Sequence, residues 1–189
     1  MGFSKYRTAL EVWLEKTGRV VNQVDNLPVR FGTFAESFVA SEYATQTGYA
    51  LVHSEQRIAH PKYPFMVGHI DRFVFEGDSD AAPSINTLFN SDGSCAASHL
   101  LECKTSNAKQ FAQLIKNGIA FAKPQHYAQM QVYMHLAELS RGIYIAVCKD
   151  TDELHIERVI YDKSKAIQFL QRAENIITLP EPPVTLADE

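Results

Sequence analysis

The segment HLLECKT places two charged side chains inside an apolar run. Successive side chains of a β-strand point to opposite faces, so Leu101 and Cys103 share one face of the predicted strand. Leu100, Glu102 and Lys104 share the other face. Apolar positions on both faces, and a long polar segment before them, predict that the charged pair is at least partly covered. The chain must therefore fold so that other elements pack around this strand.

Helical and extended patterns flank this strand along the chain. Apolar residues at helical spacing and helix-ending glycines predict helices, and alternating patterns between turn residues predict strands. The predicted helices span about 4–16, 33–47, 108–118, 124–139 and 163–177, and the other predicted strands span 49–59, 65–76, 142–148 and 154–159. In the second helix, Phe34, Phe38 and Tyr43 are expected to point inward. These elements predict an α/β fold with a central mixed β-sheet flanked by helices.

Two connections follow from the turn residues. The strands at 49–59 and 65–76 are joined by the turn-like sequence HPKYP, which predicts a hairpin. Residues 77–98 are rich in small and polar side chains and predict a long, mobile connection between strands. We expect no chemistry in that connection.

Length and composition favour one globular domain. The chain has 189 residues, with 46% hydrophobic and 21% charged residues, as in an average soluble domain. We expect a single domain over residues 1–178 and a C-terminal tail over 179–189, because LPEPPVTLADE cannot stay helical. No apolar run reaches the roughly 18 to 20 residues that cross a bilayer, and the charged start does not resemble a signal peptide. A cytoplasmic protein without a membrane partner is expected.

Cysteine count and charge bear on the functional class. Cys95, Cys103 and Cys148 are odd in number and lack a CxxC pair, which predicts neither a disulfide framework nor a closed zinc site. The net charge of −4 argues mildly against nucleic acid as a partner, because phosphate binding draws on Lys and Arg. The distribution of charge along the chain favours a nucleic-acid partner. Residues 103–137 hold four lysines and no acid, whereas residues 150–189 hold nine acids. A basic strip on an acidic body fits an anion-binding face.

Two acidic positions suit phosphodiester hydrolysis. Asp71 ends the apolar run MVGHI, and Glu102 follows 31 residues later with Lys104 beside it. Such hydrolysis needs groups that hold the phosphate, activate water and offset charge in the transition state, and divalent metals supply most of this. Taken alone, Asp71 is typical of a solvated turn, and the Glu102–Lys104 pair is typical of a surface salt bridge. Gly68, just before Asp71, permits a close approach of backbone or ligand.

Three runs together support the catalytic reading. GHIDRFVFEG, LLECKT and QMQVY resemble the PD-(D/E)XK nuclease superfamily, in particular its phage lambda exonuclease and YqaJ-like branch. The resemblance covers about residues 30–177. It implies a restriction-endonuclease-like core, with Asp71 and Glu102 as metal ligands and Lys104 beside them as a catalytic residue. Whether Lys104 acts as a base or stabilises charge stays open.

The resemblance assigns further residues to the site. It implies the carbonyl of Cys103 as another metal ligand, and RFGTFAE matches the glutamate on an early helix at Glu36, as a metal-binding and catalytic residue. Glu36 is equally an acid that a helix N-terminus favours. Gln129 and Tyr133 match a Gln-x-x-x-Tyr pair that belongs to the catalytic group. Arg72 stands where lambda-type exonucleases usually have glycine, which puts the local substrate geometry in question.

The implied activity is a Mg²⁺-dependent deoxyribonuclease, with Mn²⁺ as a substitute. An exonuclease that resects duplex ends for recombination or repair is favoured, acting beside a single-strand annealing protein and assembled as a homotrimer. An endonuclease or flap nuclease of the same superfamily and a non-cleaving DNA-binding module are the alternatives. Arg30, Arg72 and Lys109 are expected to contact DNA phosphates, because a DNA-binding face needs several cations. His69 and His126 are expected to be structural or incidental.

Overall fold

A mixed sheet of five strands forms the centre of the fold. The computed structural model describes residues 8–21, 25–53, 57–59, 65–77 and 88–183. The helices are α1 (Ala9–Lys16), α2 (Leu27–Thr47), α3 (Ala108–Ala122), α4 (Pro124–Leu136) and α5 (Lys163–Ile177), and the strands are β1 (Ala50–Val52), β2 (Ile58–Ala59), β3 (Val67–Gly68), β4 (Arg72–Phe75), β5 (His99–Ser106), β6 (Arg141–Cys148) and β7 (Leu154–Ile160). The sheet order is β1-β4-β5-β6-β7. Only the β5–β6 pair in this sheet is parallel, so the predicted mixed sheet is confirmed.

The predicted hairpin is present as two separate ladders. β1 pairs with β4, with Ala50 opposite Phe75, and the short β2 pairs with β3, with Ile58 opposite Gly68. Asp71 lies directly before β4, where the pairing is interrupted. The turn residues HPKYP and part of the predicted connection, residues 78–87, lie outside the described residues.

The helices cover both faces of the sheet. On one face, α2 packs through Val39, Ala40 and Tyr43 against a cluster that includes Leu101 and Ile145. On the other face, α3 and α4 form the larger core with β4, β5 and β6; its members include Phe73, Leu100, Leu114, Met130, Met134 and Tyr144. Helix α5 packs against α4, and α1 packs against α5. The middle strand β5 is thus covered on both faces, as its apolar alternation predicts.

Helix α2 differs from the prediction in its start and its orientation. It begins at Leu27, where the Asn26 side chain caps it by accepting a hydrogen bond from Val29 N at 3.1 Å. Phe34 and Phe38 are 78% and 56% exposed, so the prediction that they point inward was wrong. The inward positions are mostly small residues, which let the helix lie close to the sheet. Tyr43 is buried, as predicted.

Helix α3 continues beyond its predicted end at residue 118. Gly118 has φ 72° and ψ 167°, a conformation that essentially only glycine adopts, and the chain then returns to helix. After this break, the Ile119 amide donates to Glu157 Oε2 at 2.9 Å. Gly118 therefore separates two helical segments of α3.

The chain after α5 is held by the first helix. Trp13 is buried, and its indole Nε1 donates to the Leu179 carbonyl at 3.1 Å. Residues 178–183 are not helical, as expected, and residues 184–189 lie outside the described part. Among the described helices, none has the length and apolar character that crossing a membrane requires. The division into a domain and a tail stays a prediction.

Candidate active site

Strand pairing brings Asp71 beside Glu102 and Lys104. The antiparallel register places Arg72 opposite Leu101, so the residue before Arg72 lies next to the residues that follow Leu101. The amide of Cys103 donates to Asp71 Oδ2 at 2.8 Å, and Lys104 Nζ lies 3.3 Å from the same oxygen. Residues 31 positions apart in the sequence therefore share one end of the β4–β5 pair.

Glu102 is fully buried and lacks hydrogen-bond partners. Its Oε1 lies 2.5 Å from Lys104 Nζ as an ion pair without hydrogen-bond geometry, and neither carboxylate oxygen is hydrogen-bonded within the described residues. Burial raises the pKa of Glu102 to about 7, Lys104 opposes this rise, and Asp71 adds to it. A buried carboxylate without hydrogen bonds is costly unless something else compensates its charge. Lys104 supplies this compensation at Oε1, and lone pairs of Oε2 remain for a bound cation.

Lys104 is surrounded by oxygen atoms. Besides Glu102 and Asp71, its Nζ donates to the Cys103 carbonyl at 3.0 Å. Burial alone would lower the pKa of Lys104, but the neighbouring Glu102 and Asp71 carboxylates raise it above its ordinary value. The ammonium group therefore stays charged at neutral pH.

Arg72 holds Glu36 at the edge of this cluster. Its Nη1 donates to Glu36 Oε1 at 2.8 Å and to the Asp71 carbonyl, and its Nη2 donates to Ser37 Oγ at 3.4 Å. Arg72 is buried, because its register with Leu101 turns it toward the face that α2 covers. Arg72 was predicted to contact DNA, but in the structure its guanidinium group is already paired with Glu36 within the protein.

Gln129 and Tyr133 lie together on α4. Gln129 Nε2 donates to the Tyr133 hydroxyl at 3.0 Å. Burial raises the pKa of Tyr133, and the nearby Glu102 raises it further, which places the phenol close to the carboxylate cluster. Gly68 makes room for this ring: a Cβ at Gly68 would lie 2.7 Å from Tyr133 Cε1. The close approach predicted at Gly68 is thus made by a side chain of the site.

A cavity of about 510 Å³ opens beside the cluster. The first turns of α2 line one side, and residues of β5, α3 and α4 line the other; the lining residues are Pro28, Val29, Gly32, Thr33, Glu36, Cys103, Lys104, Thr105, Gln110, Lys123, Gln125 and His126. Burial lowers the pKa of Lys123, whose Nζ donates to Gln110 Oε1 at 2.5 Å. Lys123, Gln110 and Gln125 belong to no recognised motif; the basic strip that includes Lys123 is the sequence signal that bears on them.

His126 lies at the inner wall of this cavity. Its Nδ1 is 2.9 Å from the hydroxyl of Tyr144, a buried residue opposite Glu102 in the β5–β6 register. Burial, and then Lys104, lower the pKa of His126 to about 3. His126 is therefore neutral, and it packs behind Lys104.

The remaining predicted cations are not in the cluster. Arg30 is exposed on α2 and paired with Asp25 at 2.9 Å, and Lys109 is exposed in the first turn of α3. His69 is also exposed. The three cysteines are free, with Cys103 and Cys148 buried, in keeping with the absence of a predicted disulfide framework.

The donor set fits a hard divalent cation in part. Asp71, Glu102 and the Cys103 carbonyl offer oxygen atoms within one small region, and Mg²⁺ usually takes one or two carboxylates from a protein. The unpartnered oxygens of Glu102 support this fit. Over the described ranges, no group of three acidic, histidine or cysteine side chains is close enough to hold a metal. Glu36 is instead engaged by Arg72.

The fold is that of solved exonucleases. LHK-Exo, an alkaline exonuclease from Laribacter hongkongensis solved in complex with dAMP, superimposes with a TM-score of 0.65 and 19% identity, over 89% of this chain and 75% of that one. A phage-related exonuclease from Haemophilus somnus 129PT gives a TM-score of 0.62 and 13% identity, over 89% of this chain and 77% of that one. At such identities the likeness shows a shared fold.

The sequence pattern of the YqaJ-like viral recombinase domain matches residues 1–140. The chain belongs to this family, which confirms the resemblance drawn from the motifs. It is 27% identical over 150 residues to the uncharacterized protein YqaJ of Bacillus subtilis (strain 168), over 78% of this chain and 40% of that protein. The chain thus spans about two fifths of the length of that relative.

Proposed function

We propose that this protein is a metal-dependent deoxyribonuclease, and within that class an exonuclease that resects duplex DNA ends for recombination or repair. The observation that carries the proposal is the fully buried Glu102, ion-paired with Lys104 and without hydrogen bonds within the described residues, next to Asp71. Membership of a viral recombinase family and the exonuclease fold support it.

The proposed roles follow from the geometry. Asp71, Glu102 and the Cys103 carbonyl would hold Mg²⁺ or Mn²⁺, with Glu36 as a further ligand once Arg72 releases it. The bound ion would polarise the phosphate and lower the pKa of its bound water. Lys104 keeps its proton, so we assign it to stabilising charge on the phosphate rather than to accepting a proton.

Further residues position the substrate. Gln129 and Tyr133 offer an amide and a hydroxyl group to phosphate oxygens next to the cluster. Lys123 places a cation in the cavity, while Arg30 and Lys109 offer exposed cations for DNA outside it. In this proposal Arg72 holds Glu36 until a metal ion binds.

A digestion assay tests this function. End-labelled linear duplex and closed circular DNA are incubated with Mg²⁺, Mn²⁺ or EDTA and the wild-type protein, Glu102→Gln, Lys104→Met or the exposed-lysine control Lys163→Met. We expect metal-dependent loss of linear DNA alone, reduced at least about 100-fold by the first two substitutions and unchanged by the control. Cutting of circles would indicate an endonuclease. A folded protein that binds DNA and never cuts it would indicate a binding module.

The lambda-type resemblance suggests partners. We propose duplex DNA as the substrate, a single-strand annealing protein as a partner that receives the resected strand, and the cytoplasm of a bacterium or phage-infected cell as the location. A ring of three copies is the assembly that this resemblance suggests.

A further inference from the structure

His126 has one ring nitrogen that Tyr144 engages and one that the described residues leave without a partner. Its Nδ1 lies 2.9 Å from the hydroxyl of Tyr144, a fully buried residue of β6. The histidine lines the cavity beside Lys104, and none of the described residues forms a hydrogen bond with its Nε2. What Nε2 offers to a bound molecule depends on which of the two nitrogens carries the ring hydrogen.

The hydrogen bonding of Tyr144 decides where that hydrogen lies. A buried hydroxyl group is costly unless its proton has an acceptor. Glu102 lies opposite Tyr144 in the β5–β6 register, but within the described part of the chain neither of its carboxylate oxygens takes part in a hydrogen bond. Among those residues, Nδ1 of His126 is the acceptor that the Tyr144 proton finds. An uncharged imidazole that accepts at Nδ1 carries its hydrogen at Nε2 and donates there.

His126 also belongs to a row of polar side chains on α4. Gln129 and Tyr133 follow it by three and seven residues, a spacing that keeps all three on one face of the helix. Gln129 and Tyr133 are hydrogen-bonded to each other, and His126 extends the row to the wall of the cavity. The same helix face therefore serves both the carboxylate cluster and the cavity.

The surroundings of His126 define the ligand that its donor takes. Lys104 and Lys123 line the same cavity, and Glu36, an acid of the lining, is paired with Arg72. Burial, followed by the charge of Lys104, lowers the pKa of His126 to about 3, so the ring adds no further positive charge beside these lysines. An N–H group next to two ammonium groups suits an oxygen that carries negative charge.

The identity of this oxygen rests on the function proposed above, in which the cavity receives DNA. We propose that His126 donates its Nε2–H to a phosphate oxygen of DNA in this cavity, and that Tyr144 holds the imidazole in the tautomer that makes this possible. His126 is then a residue that contacts the substrate, and Tyr144 is a positioning residue that acts through it.

The tautomer is measured by NMR without DNA or metal. Long-range ¹H–¹⁵N correlation spectra of the full chain in EDTA at neutral pH distinguish the two tautomers, and the His126 signals are those that His126→Gln lacks. We expect the Nε2–H tautomer in the wild type and a mixture of both in Tyr144→Phe. Unchanged signals of the other histidines show that each variant is folded. The Nδ1–H tautomer in the wild type, or an unchanged tautomer in Tyr144→Phe, would overturn the inference.

Binding of end-labelled duplex DNA in EDTA, followed by fluorescence anisotropy, tests the contact apart from cleavage. His126→Leu removes both ring nitrogens, whereas His126→Gln keeps an N–H donor near the position of Nε2. Both variants lose the acceptor at Nδ1, so the difference between them reports the donor alone. We expect the dissociation constant to rise about 10-fold in His126→Leu, and less than about threefold in His126→Gln and in the exposed control His53→Leu.

The outcomes separate this contact from the proposed activity. Equal binding by the wild type and His126→Leu, equal losses in the two His126 variants, or no binding of DNA by the wild type would overturn the inference. Weaker binding by His126→Leu, together with a wild type that never cuts DNA, would support the contact and contradict the nuclease function.

Discussion

His99 is a buried histidine that remains neutral. Its Nε2 lies 3.0 Å from the Tyr43 hydroxyl, and its Nδ1 lies 3.7 Å from Glu76 Oε1. Burial, followed by the positive charge of Arg141, lowers the pKa of His99 to about 4, although Glu76 opposes this. The contact between His99 and Tyr43 therefore links α2 to the sheet through an imidazole that stays neutral at neutral pH.

This environment makes the stability dependent on pH. The unfolded chain binds a proton at His99 as the pH falls below about 6.5, while the folded chain does so only near 4. The stabilisation is complete above pH 6.5 and is lost as the pH falls toward 4, by about 1–3 kcal/mol. Urea unfolding, followed by fluorescence of Trp13, should show a smaller loss between pH 7 and pH 5 in His99→Gln. An equal loss in both proteins would contradict this origin.

At the residue scale, the local sequence pattern predicted which residues face the same side of a strand better than it predicted their contacts with distant residues. The two-residue period of a strand placed Glu102 and Lys104 on one face, and the structure agrees. The burial of Arg72 against Glu36 depends on a contact between residues 36 positions apart, which no local pattern contains. The place of Lys123 in the cavity was not predictable from a local pattern either, because it depends on how the fold brings α3 and α4 together.

Gly118 controls the shape of α3. An alanine there would be strained at φ 72° and ψ 167°, and its Cβ would lie 3.0 Å from Glu157 Oε1. We expect Gly118→Ala to lower the free energy of unfolding by about 1–3 kcal/mol. Gly32→Ala is the matched control, because Gly32 is helical and an added Cβ meets nothing within 4 Å. That change should raise stability by about 0.5–1 kcal/mol, and both are measured by urea unfolding.

An unchanged stability of Gly118→Ala would mean that Gly118 does not cause the interruption of helix α3. If Gly118→Ala were as stable as the wild type, the backbone at this position would be free to become helical. The contact of the Ile119 amide with Glu157 would then have to account for the path of the chain.

At the element scale, the bounds of helix α5 were predicted correctly, at Lys163 and Ile177. In the structure the Asp162 side chain caps its start, a signal that was present in the sequence but was not part of the prediction. The start of α2 had an equally readable signal in Asn26 and Pro28, an N-cap followed by proline in the first turn. The orientation of Phe34 was not readable, because periodicity locates an apolar face without saying whether the protein's own core or another molecule covers it.

Lys104 supplies a positive charge to the active-site cluster in the absence of metal. Its contacts with Glu102, Asp71 and the Cys103 carbonyl compensate buried negative charge. We expect EDTA to leave the wild type folded, with the same thermal unfolding midpoint as the protein without added metal. In Lys104→Met the midpoint should fall, because the carboxylates lose their cation, and Mn²⁺ should restore part of the loss through binding to the folded state.

Calorimetry with and without EDTA measures this effect. Lys116→Met, which removes an exposed lysine, should behave as the wild type under both conditions. Unfolding of the wild type by EDTA alone would show that the metal, rather than Lys104, holds the cluster together.

At the scale of the whole molecule, the sequence predicted the class of fold, but it predicted only part of the order in which the strands pair. Two helices between β5 and β6 allow a parallel pair, because a crossover needs that length of chain. The division of one hairpin into two ladders depends on packing around Asp71 and Gly68 and had no separate sequence signal.

The internal ion pair of Lys104 separates folding from metal supply. A chain synthesised where divalent ions are scarce would still reach its native structure, because its own ammonium group neutralises the carboxylates during folding. Under the function proposed above, the active-site carboxylates would thus be held in place before any metal binds, and metal binding would not be a step of folding.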